Sequence, residues 1–252
     1  MTAEQRKQKI SELLKKNDSV KVTELSEILE VSEVTVRSYL EDMERKGLLT
    51  RVHGGAVSTY KPYYSMSLNQ RLEANQTAKV EIAEKIADLI RPNDTVMLNA
   101  GTTTLLSFRK FPADYNLNIV TNSISIALEA SSNPNYNVIL VGGSVNIKYQ
   151  FTYGNDTLRQ LKKYHADKLI LSVDGVDVES GFTTYYHKES AIDLAMIEQS
   201  ECCIVAADRS KFWRKAFAKI SDISVADYLV TNSGYDDEKL AELKAFGINI
   251  IN

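Results

Sequence analysis

From Lys79 to the C-terminus, short apolar runs alternate with segments in which apolar residues recur at helical spacing. Strands that are apolar along their whole length are buried on both faces, and helices between them favour a parallel sheet. This alternation predicts an α/β domain with a doubly wound, mainly parallel sheet. The predicted strands cover residues 95–98, 118–120, 137–141, 168–173, 202–206, 228–230 and 248–251.

The first 55 or so residues follow a different pattern, that of a winged helix-turn-helix. Helical spacing predicts one helix over 5–16, a second capped by Thr23, and a third that runs from its cap Ser32 to near Lys46. A strand over 48–52 follows and ends in a glycine-containing turn. Three short helices and a terminal hairpin in so few residues are typical of that DNA-binding motif.

The domain organisation that these patterns predict has three parts. Residues 1–56 form the winged helix-turn-helix and residues 76–252 form the α/β domain. Residues 57–75 have no regular period and include Pro62 and several tyrosines. Because aromatic residues are poorly suited to a freely moving linker, we expect this linker to pack on the folded protein.

The composition is that of a soluble globular protein, with 44% hydrophobic and 25% charged residues. No apolar run is long enough to predict a transmembrane helix, so we expect no membrane association. The charged N-terminus argues against a signal peptide. Cys202 and Cys203 are adjacent, which favours reduced thiols and a cytoplasmic location.

The third predicted helix offers a candidate DNA-reading face, because the N-terminal part of such a helix enters the major groove. Val36 and Leu40 should face the core. Residues 1–55 hold ten basic and ten acidic residues, so affinity would depend on local placement of charge. The alternative is a helical module for protein contacts. The predicted DNA-binding residues are Ser32, Glu33, Thr35, Arg37, Ser38 and Tyr39, with Arg51 and His53 on the wing.

The α/β part carries a candidate anion site where Gly101 is followed by three threonines at the start of a helix. A helix N-terminus presents backbone N–H groups to an anion, although a plain helix cap has the same pattern. Gly142 and Gly143 follow another strand and would let a ligand approach the backbone, or would form a simple turn. Ligands of open α/β sheets bind at the carboxyl ends of strands.

Ordered motifs along the whole chain resemble the DeoR family of transcription regulators. In the N-terminal part they are Val31-Ser32, Thr35-Val36-Arg37, Leu40, Gly47-Leu48, Arg51 and His53-Gly54-Gly55-Ala56. In the remainder they are Lys79, Ile82-Ala83, Asp94, Gly101-Thr102-Thr103, Thr121-Asn122, Gly142-Gly143, Gly154, Asp174-Gly175, Gly181 and Asp208-Ser210-Lys211-Phe212. Ser38 and Tyr39 stand where the family has a basic residue and an aspartate, which alters the expected base contacts.

The family's sensor domain is similar in fold to ribose-5-phosphate isomerases, which implies a sugar phosphate or related ligand. Lys79 matches an isomerase lysine that approaches the phosphate. The Asp174–Asp177 segment resembles the isomerase segment that carries two active-site aspartates. Lys188-Glu189 resembles the isomerase region that carries a lysine and the catalytic glutamate. The alternative for Asp177 and Glu189 is a solvated surface position. The predicted effector-binding residues are Lys79, Gly101, Thr102, Thr103, Thr104, Asn122, Gly142, Gly143, Asp174, Asp177, Lys188, Glu189, Asp208 and Lys211.

These residues predict a repressor of a carbohydrate-utilisation operon that a phosphorylated sugar releases or modulates. The expected partners are double-stranded operator DNA, that small effector, and further copies of the chain in a homodimer or homotetramer. We expect no catalytic residue, metal or cofactor. One alternative is a sugar-phosphate isomerase with a fused helical module, although no glycine run follows Lys188. Another is a partner-binding protein that never contacts DNA.

Overall fold

A computed structural model describes residues 1–17, 19–45, 48–52, 54–57, 66–234 and 237–252. The chain divides into two compact units, Met1–Met66 and Ser67–Asn252. No helix within these described ranges has the length and apolar character that crossing a membrane requires.

The first unit is the predicted winged helix-turn-helix. Its elements are α1 (Ala3–Asn17), β1 (Ser19–Lys21), α2 (Val22–Leu29), α3 (Glu33–Arg45), β2 (Thr50–Val52) and β3 (Gly55–Val57). The strands form an antiparallel sheet in the order β1-β3-β2. Val36, Leu40 and Met43 recur at helical spacing and are buried on one face of α3, where they join the core of this unit.

Two details of the first unit differ from the sequence prediction. Strand β1 was not predicted, and its pairing with β3 leads the chain directly into α2. Thr23 is therefore not the cap of α2, because the helix already begins at Val22. Ser32 does cap α3, since its Oγ accepts a hydrogen bond from Thr35 N at 3.3 Å. The predicted helix end at Lys46 and the wing residue His53 lie outside the described residues.

The second unit is built on a sheet of seven parallel strands, which confirms the predicted fold class. Its strands are β4 (Thr95–Leu98), β5 (Leu117–Thr121), β6 (Tyr136–Leu140), β9 (Ala166–Ser172), β12 (Ser200–Ala206), β14 (Tyr228–Val230) and β15 (Asn249–Ile251). Their order across the sheet is β15-β14-β12-β9-β4-β5-β6.

Helices cover both faces of this sheet. Val96 and Leu98 of β4 pack in one core, whereas Met97 packs in the other, because successive side chains point to opposite faces. The first core also receives α5 (Gln76–Ala87), α6 (Thr102–Phe108) and α7 (Ile124–Ala130). The second core receives α8 (Asn155–Leu161), α9 (His187–Glu198) and α10 (Asp237–Lys244).

Several elements of the second unit were not predicted. The predicted linker contains helix α4 (Leu68–Glu73), which belongs to the second unit. A capping box between Ser67 and Gln70 begins this helix. The hairpin β7 (Ser144–Asn146) and β8 (Phe151–Tyr153) and the helix α8 were also missed. A small antiparallel sheet consists of β10 (Gly175–Asp177), β11 (Gly181–Thr184) and β13 (Ala218–Ser221).

Candidate DNA-binding surface and effector site

The outward face of α3 presents most of the residues predicted to contact DNA. Val36 and Leu40 are buried, so the opposite side of the helix is left to solvent. Ser32, Glu33, Arg37 and Ser38 are exposed, whereas Thr35 and Tyr39 are half-buried. Tyr39 packs against the core of the first unit.

Val34 was not predicted as a DNA contact, yet 77% of its surface is exposed. An apolar side chain on this face is suited to contact the methyl group of thymine. The signal was available in the sequence, because Val34 lies between two outward-facing positions of the third helix.

Both predicted DNA-contacting arginines have carboxylate partners from α3. Arg37 Nη2 lies 3.2 Å from Glu33 Oε2, and Arg51 Nε lies 3.3 Å from Glu44 Oε2. The two arginines also line a cavity of about 260 Å³ between α3 and the wing. Exposed ion pairs of this kind contribute little free energy, so phosphate or base groups can replace the carboxylates.

In the second unit, the turn at Gly101 is held by packing and hydrogen bonds. A Cβ at this position would lie 1.5 Å from Ser172 Oγ, so only glycine allows the turn to approach β9. Thr104 Oγ1 donates to Asn99 Oδ1 at 2.9 Å and lies 2.6 Å from Ser172 Oγ. The hydroxyl of Thr104 is thus used in hydrogen bonds within this turn region. Thr102 and Thr103 are buried at the N-terminus of α6.

Asn99, directly after β4, is the centre of a buried network that the sequence analysis missed. Its Nδ2 donates to Ser172 O at 2.9 Å and to Asp193 Oδ1 at 3.1 Å. Asp193 is only 1% exposed. Its position in the apolar stretch of α9 was a signal, because a carboxylate is rarely buried without partners.

Asp174, two residues beyond the end of β9, lies close to two cations. Its Oδ1 lies 3.0 Å from Arg71 Nη2 and 3.5 Å from Lys211 Nζ, and its Oδ2 accepts from Tyr185 N at 3.1 Å. Burial alone would raise the pKa of this carboxyl, but the charges of Arg71 and Lys211 outweigh burial and lower the pKa. Asp174 is therefore ionised at neutral pH.

Two further carboxyl groups lie in the same cluster. The hydroxyl of Thr184 lies 3.0 Å from Glu189 Oε2 and 3.4 Å from Asp174 Oδ2. Burial and the charge of Asp174 raise the pKa of Glu189 to about 7. Burial and Glu189 raise the pKa of Asp193 well above its ordinary value. Two cations and three carboxyls thus share one cluster, in which protonation can adjust the net charge.

Three of the predicted effector residues make local contacts in this structure. Lys79 is fully buried, and its Nζ donates to the backbone carbonyls of Arg71 and Ala74. Asp177 accepts a hydrogen bond from Ser180 N at 2.8 Å in the β10–β11 turn. Lys188 is exposed, with its Nζ 4.7 Å from the centre of the Tyr153 ring.

The glycine pair after β6 contacts Thr157 of α8. A Cβ on Gly143 would lie 2.2 Å from Thr157 Oγ1, and the hydroxyl of Thr157 donates to Gly142 O at 2.8 Å. Gly143 therefore permits close packing of this loop. Asn122, after β5, donates from Nδ2 to Thr152 O at 3.2 Å.

Three buried acceptor oxygens near these strand ends have no hydrogen-bond donor among the residues that the structure describes. They are Asn122 Oδ1, Asp193 Oδ2 and Asp208 Oδ2. The other carboxylate oxygen of Asp208 accepts from Ser210 N at 2.9 Å. The described ranges contain no group of histidine, cysteine, aspartate or glutamate residues that could hold a metal ion.

Comparison with known proteins supports the resemblance to the DeoR family in both units. Residues 6–61 match the model of the DeoR-like helix-turn-helix domain, and residues 74–233 match that of the DeoR C terminal sensor domain. An uncharacterized HTH-type transcriptional regulator of Bacillus subtilis, YulB, is 34% identical over 97% of this chain and 94% of its own. The lactose phosphotransferase system repressor of Streptococcus mutans is 31% identical over the full length of both chains. Among solved structures, a ribose 5-phosphate isomerase of Methanocaldococcus jannaschii aligns at a TM-score of 0.40 and 14% identity, over 55% of each chain.

A helix-turn-helix unit joined to a matched sensor domain defines a DNA-binding transcription regulator. The chain belongs to the DeoR family. It is therefore a DNA-binding transcription regulator, as predicted. Membership of this family favours the predicted regulator over the isomerase alternative and over a protein that never contacts DNA.

Proposed function

We propose that this chain represses a carbohydrate-utilisation operon and that a small phosphorylated sugar releases it from its operator. The observation that supports the effector most strongly is the convergence of Arg71 and Lys211 on one oxygen of Asp174, at 3.0 and 3.5 Å. The cluster lies beyond the carboxyl end of β9, the edge at which open α/β sheets bind ligands.

The charges of the cluster suit a phosphate group. A phosphate dianion needs cationic donors, and a guanidinium and an ammonium meet here in a protected site. Protonation of Glu189 and Asp193, whose pKa values are raised, would remove negative charge that repels the ligand. The phosphate would then compete with Asp174 for the two cations.

The unpartnered acceptors suit the hydroxyl groups of a sugar. A buried polar atom without a partner costs about 1–3 kcal/mol. Sugar hydroxyls can donate to Asn122 Oδ1, Asp193 Oδ2 and Asp208 Oδ2 and so offset that cost. The name of the Streptococcus mutans relative, which refers to a lactose phosphotransferase system, agrees with a carbohydrate role.

A thermal-shift screen tests the effector. Glucose 6-phosphate, fructose 1-phosphate and ribose 5-phosphate are compared with glucose, fructose and ribose. A compound that binds only the folded state raises the unfolding midpoint by mass action. We expect a shift with at least one phosphorylated member and with no unphosphorylated one. Lys211→Gln should reduce that shift, whereas Lys163→Gln, an exposed lysine outside the cluster, should leave it unchanged.

The DNA-binding half is tested with variants of α3, with promoter DNA and the salt concentration held fixed. Arg37→Ala should reduce operator affinity by about 1–3 kcal/mol, the usual value of a specific arginine contact. Arg45→Ala is the matched control, because Arg45 is exposed in the last turn of the same helix. Equal losses in both variants would contradict the assignment of the reading face. Size measurements on the DNA complex would distinguish a homodimer from a homotetramer.

A further inference from the structure

Helix α4 has little apolar contact with the rest of the second unit. It is six residues long and none of its residues is buried. A helix of this length is not stable in isolation and depends on tertiary contacts. Leu72 supplies part of that contact, since it packs at the edge of the core formed by α5, α6 and α7. The polar contacts of α4 therefore carry much of its docking.

Those polar contacts concentrate on Arg71. Its guanidinium pairs with Asp174 at 3.0 Å and lies 5.1 Å from the centre of the Tyr149 ring. Its backbone carbonyl accepts a hydrogen bond from the buried ammonium of Lys79. Only 18% of the Arg71 side chain is exposed. The docking of α4 thus depends on a residue that also belongs to the proposed effector site.

Helix α4 follows the DNA-binding unit closely in the sequence. Ser67, which caps α4, is the first residue of the second unit and follows Met66, the last residue of the DNA-binding unit. Helix α4 is therefore the first helix of the sensor domain after the DNA-binding unit. Lys211, the other cation on Asp174, lies instead in a short 3₁₀ segment, Arg209–Lys211, far along the chain.

We propose that Arg71 couples effector binding to operator affinity: the anionic group of the effector replaces Asp174 as the partner of Arg71, and α4 shifts with that side chain. This inference rests on the proposed function. Coupling requires that the effector bind the two states with different affinities, and the exchange of partners at Arg71 supplies such a difference. Lys211 contributes to effector affinity but not to coupling, because it lies in the Arg209–Lys211 segment and not in α4.

The test measures operator affinity with and without saturating sugar phosphate, in parallel with the thermal shift, on the full chain. The probes are the same three sugar phosphates. In the wild-type protein, saturation should lower operator affinity about 5- to 150-fold, the usual range of allosteric coupling. The coupling ratio is the operator affinity without sugar phosphate divided by the affinity at saturation. In Arg71→Gln this ratio should fall to within about two-fold of one, even where the thermal shift shows that ligand is bound. Lys211→Gln should need more ligand but keep the wild-type ratio at saturation.

The outcomes separate the inference from the proposed function. A wild-type protein with no thermal shift and no change in operator affinity would overturn both. A wild-type protein that responds, with Arg71→Gln keeping the full ratio, would overturn the coupling role alone. If Arg71→Gln does not fold, Arg71→Lys takes its place. Lysine keeps the charge but lacks the planar donor fork, so its ratio should be several-fold below that of wild type, and an unchanged ratio refutes the inference.

Discussion

Replacing Glu189 by glutamine should stabilise the ligand-free protein, and the gain should grow with pH. The carboxyl has a pKa of about 7 in the folded protein against an ordinary 4.5. Because the folded pKa is the higher one, the stability that Glu189 contributes is complete below pH 4.5 and is lost as the pH rises through 7. With about 1.4 kcal/mol per pKa unit, the loss approaches about 3 kcal/mol at pH 8 and stays below about 1 kcal/mol at pH 5.

Glutamine keeps an oxygen that can accept from Thr184 but has no charge to repel Asp174. Urea unfolding at pH 5, 6.5 and 8 measures the difference, and the midpoint temperature at pH 8 should rise by about 5–10 °C. Glu179→Gln is the control, since Glu179 is exposed and outside the cluster, and it should change stability by less than about 0.5 kcal/mol at each pH. A gain in Glu189→Gln that is equal at pH 5 and pH 8 would refute the electrostatic reasoning.

Three other substitutions test the structural roles of individual residues by chemical denaturation. Gly101→Ala should lower the free energy of unfolding by more than about 2 kcal/mol, because its Cβ would overlap Ser172. Gly142→Ala is the control and should lower it little, because the nearest atom lies 3.5 Å from its Cβ. Similar losses in both variants would contradict the packing at Gly101. Lys79→Met should cost about 2–5 kcal/mol, since two carbonyls lose a buried donor, and a neutral result would exclude this capping role. Ser32→Ala should cost about 0.5–2 kcal/mol, and no loss would mean that its hydrogen bond to the start of α3 is inconsequential.

The parallel sheet could be predicted because its strands are apolar on both faces. The predicted bounds of β4 and β14 agree with the structure, and the predicted starts or ends of the other strands differ by only a few residues. The hairpin β7–β8 was missed because β7 is largely exposed and has neither an apolar run nor a regular alternation. Helix α4 was taken for a linker because tertiary polar contacts, which sequence periodicity does not reveal, hold it in place.

Part of the candidate site could be predicted because its residues closely follow strands of the parallel sheet. Asn122 directly follows β5, whereas Asp174 and Asp208 lie two residues beyond β9 and β12, so their positions follow from the carboxyl ends of these strands. Arg71 and Asp193 reach the cluster from helices, and no sequence spacing links them to Asp174. Long-range contacts of this kind depend on how helices pack on the sheet.

The most direct test of the account is operator affinity measured by fluorescence anisotropy at one fixed salt concentration, with each sugar phosphate and its unphosphorylated sugar as a pair. At least one phosphorylated member should weaken operator binding by about 5-fold or more, while its unphosphorylated partner should have no effect. Equal responses to both members of every pair, or a response to the unphosphorylated sugar alone, would contradict it.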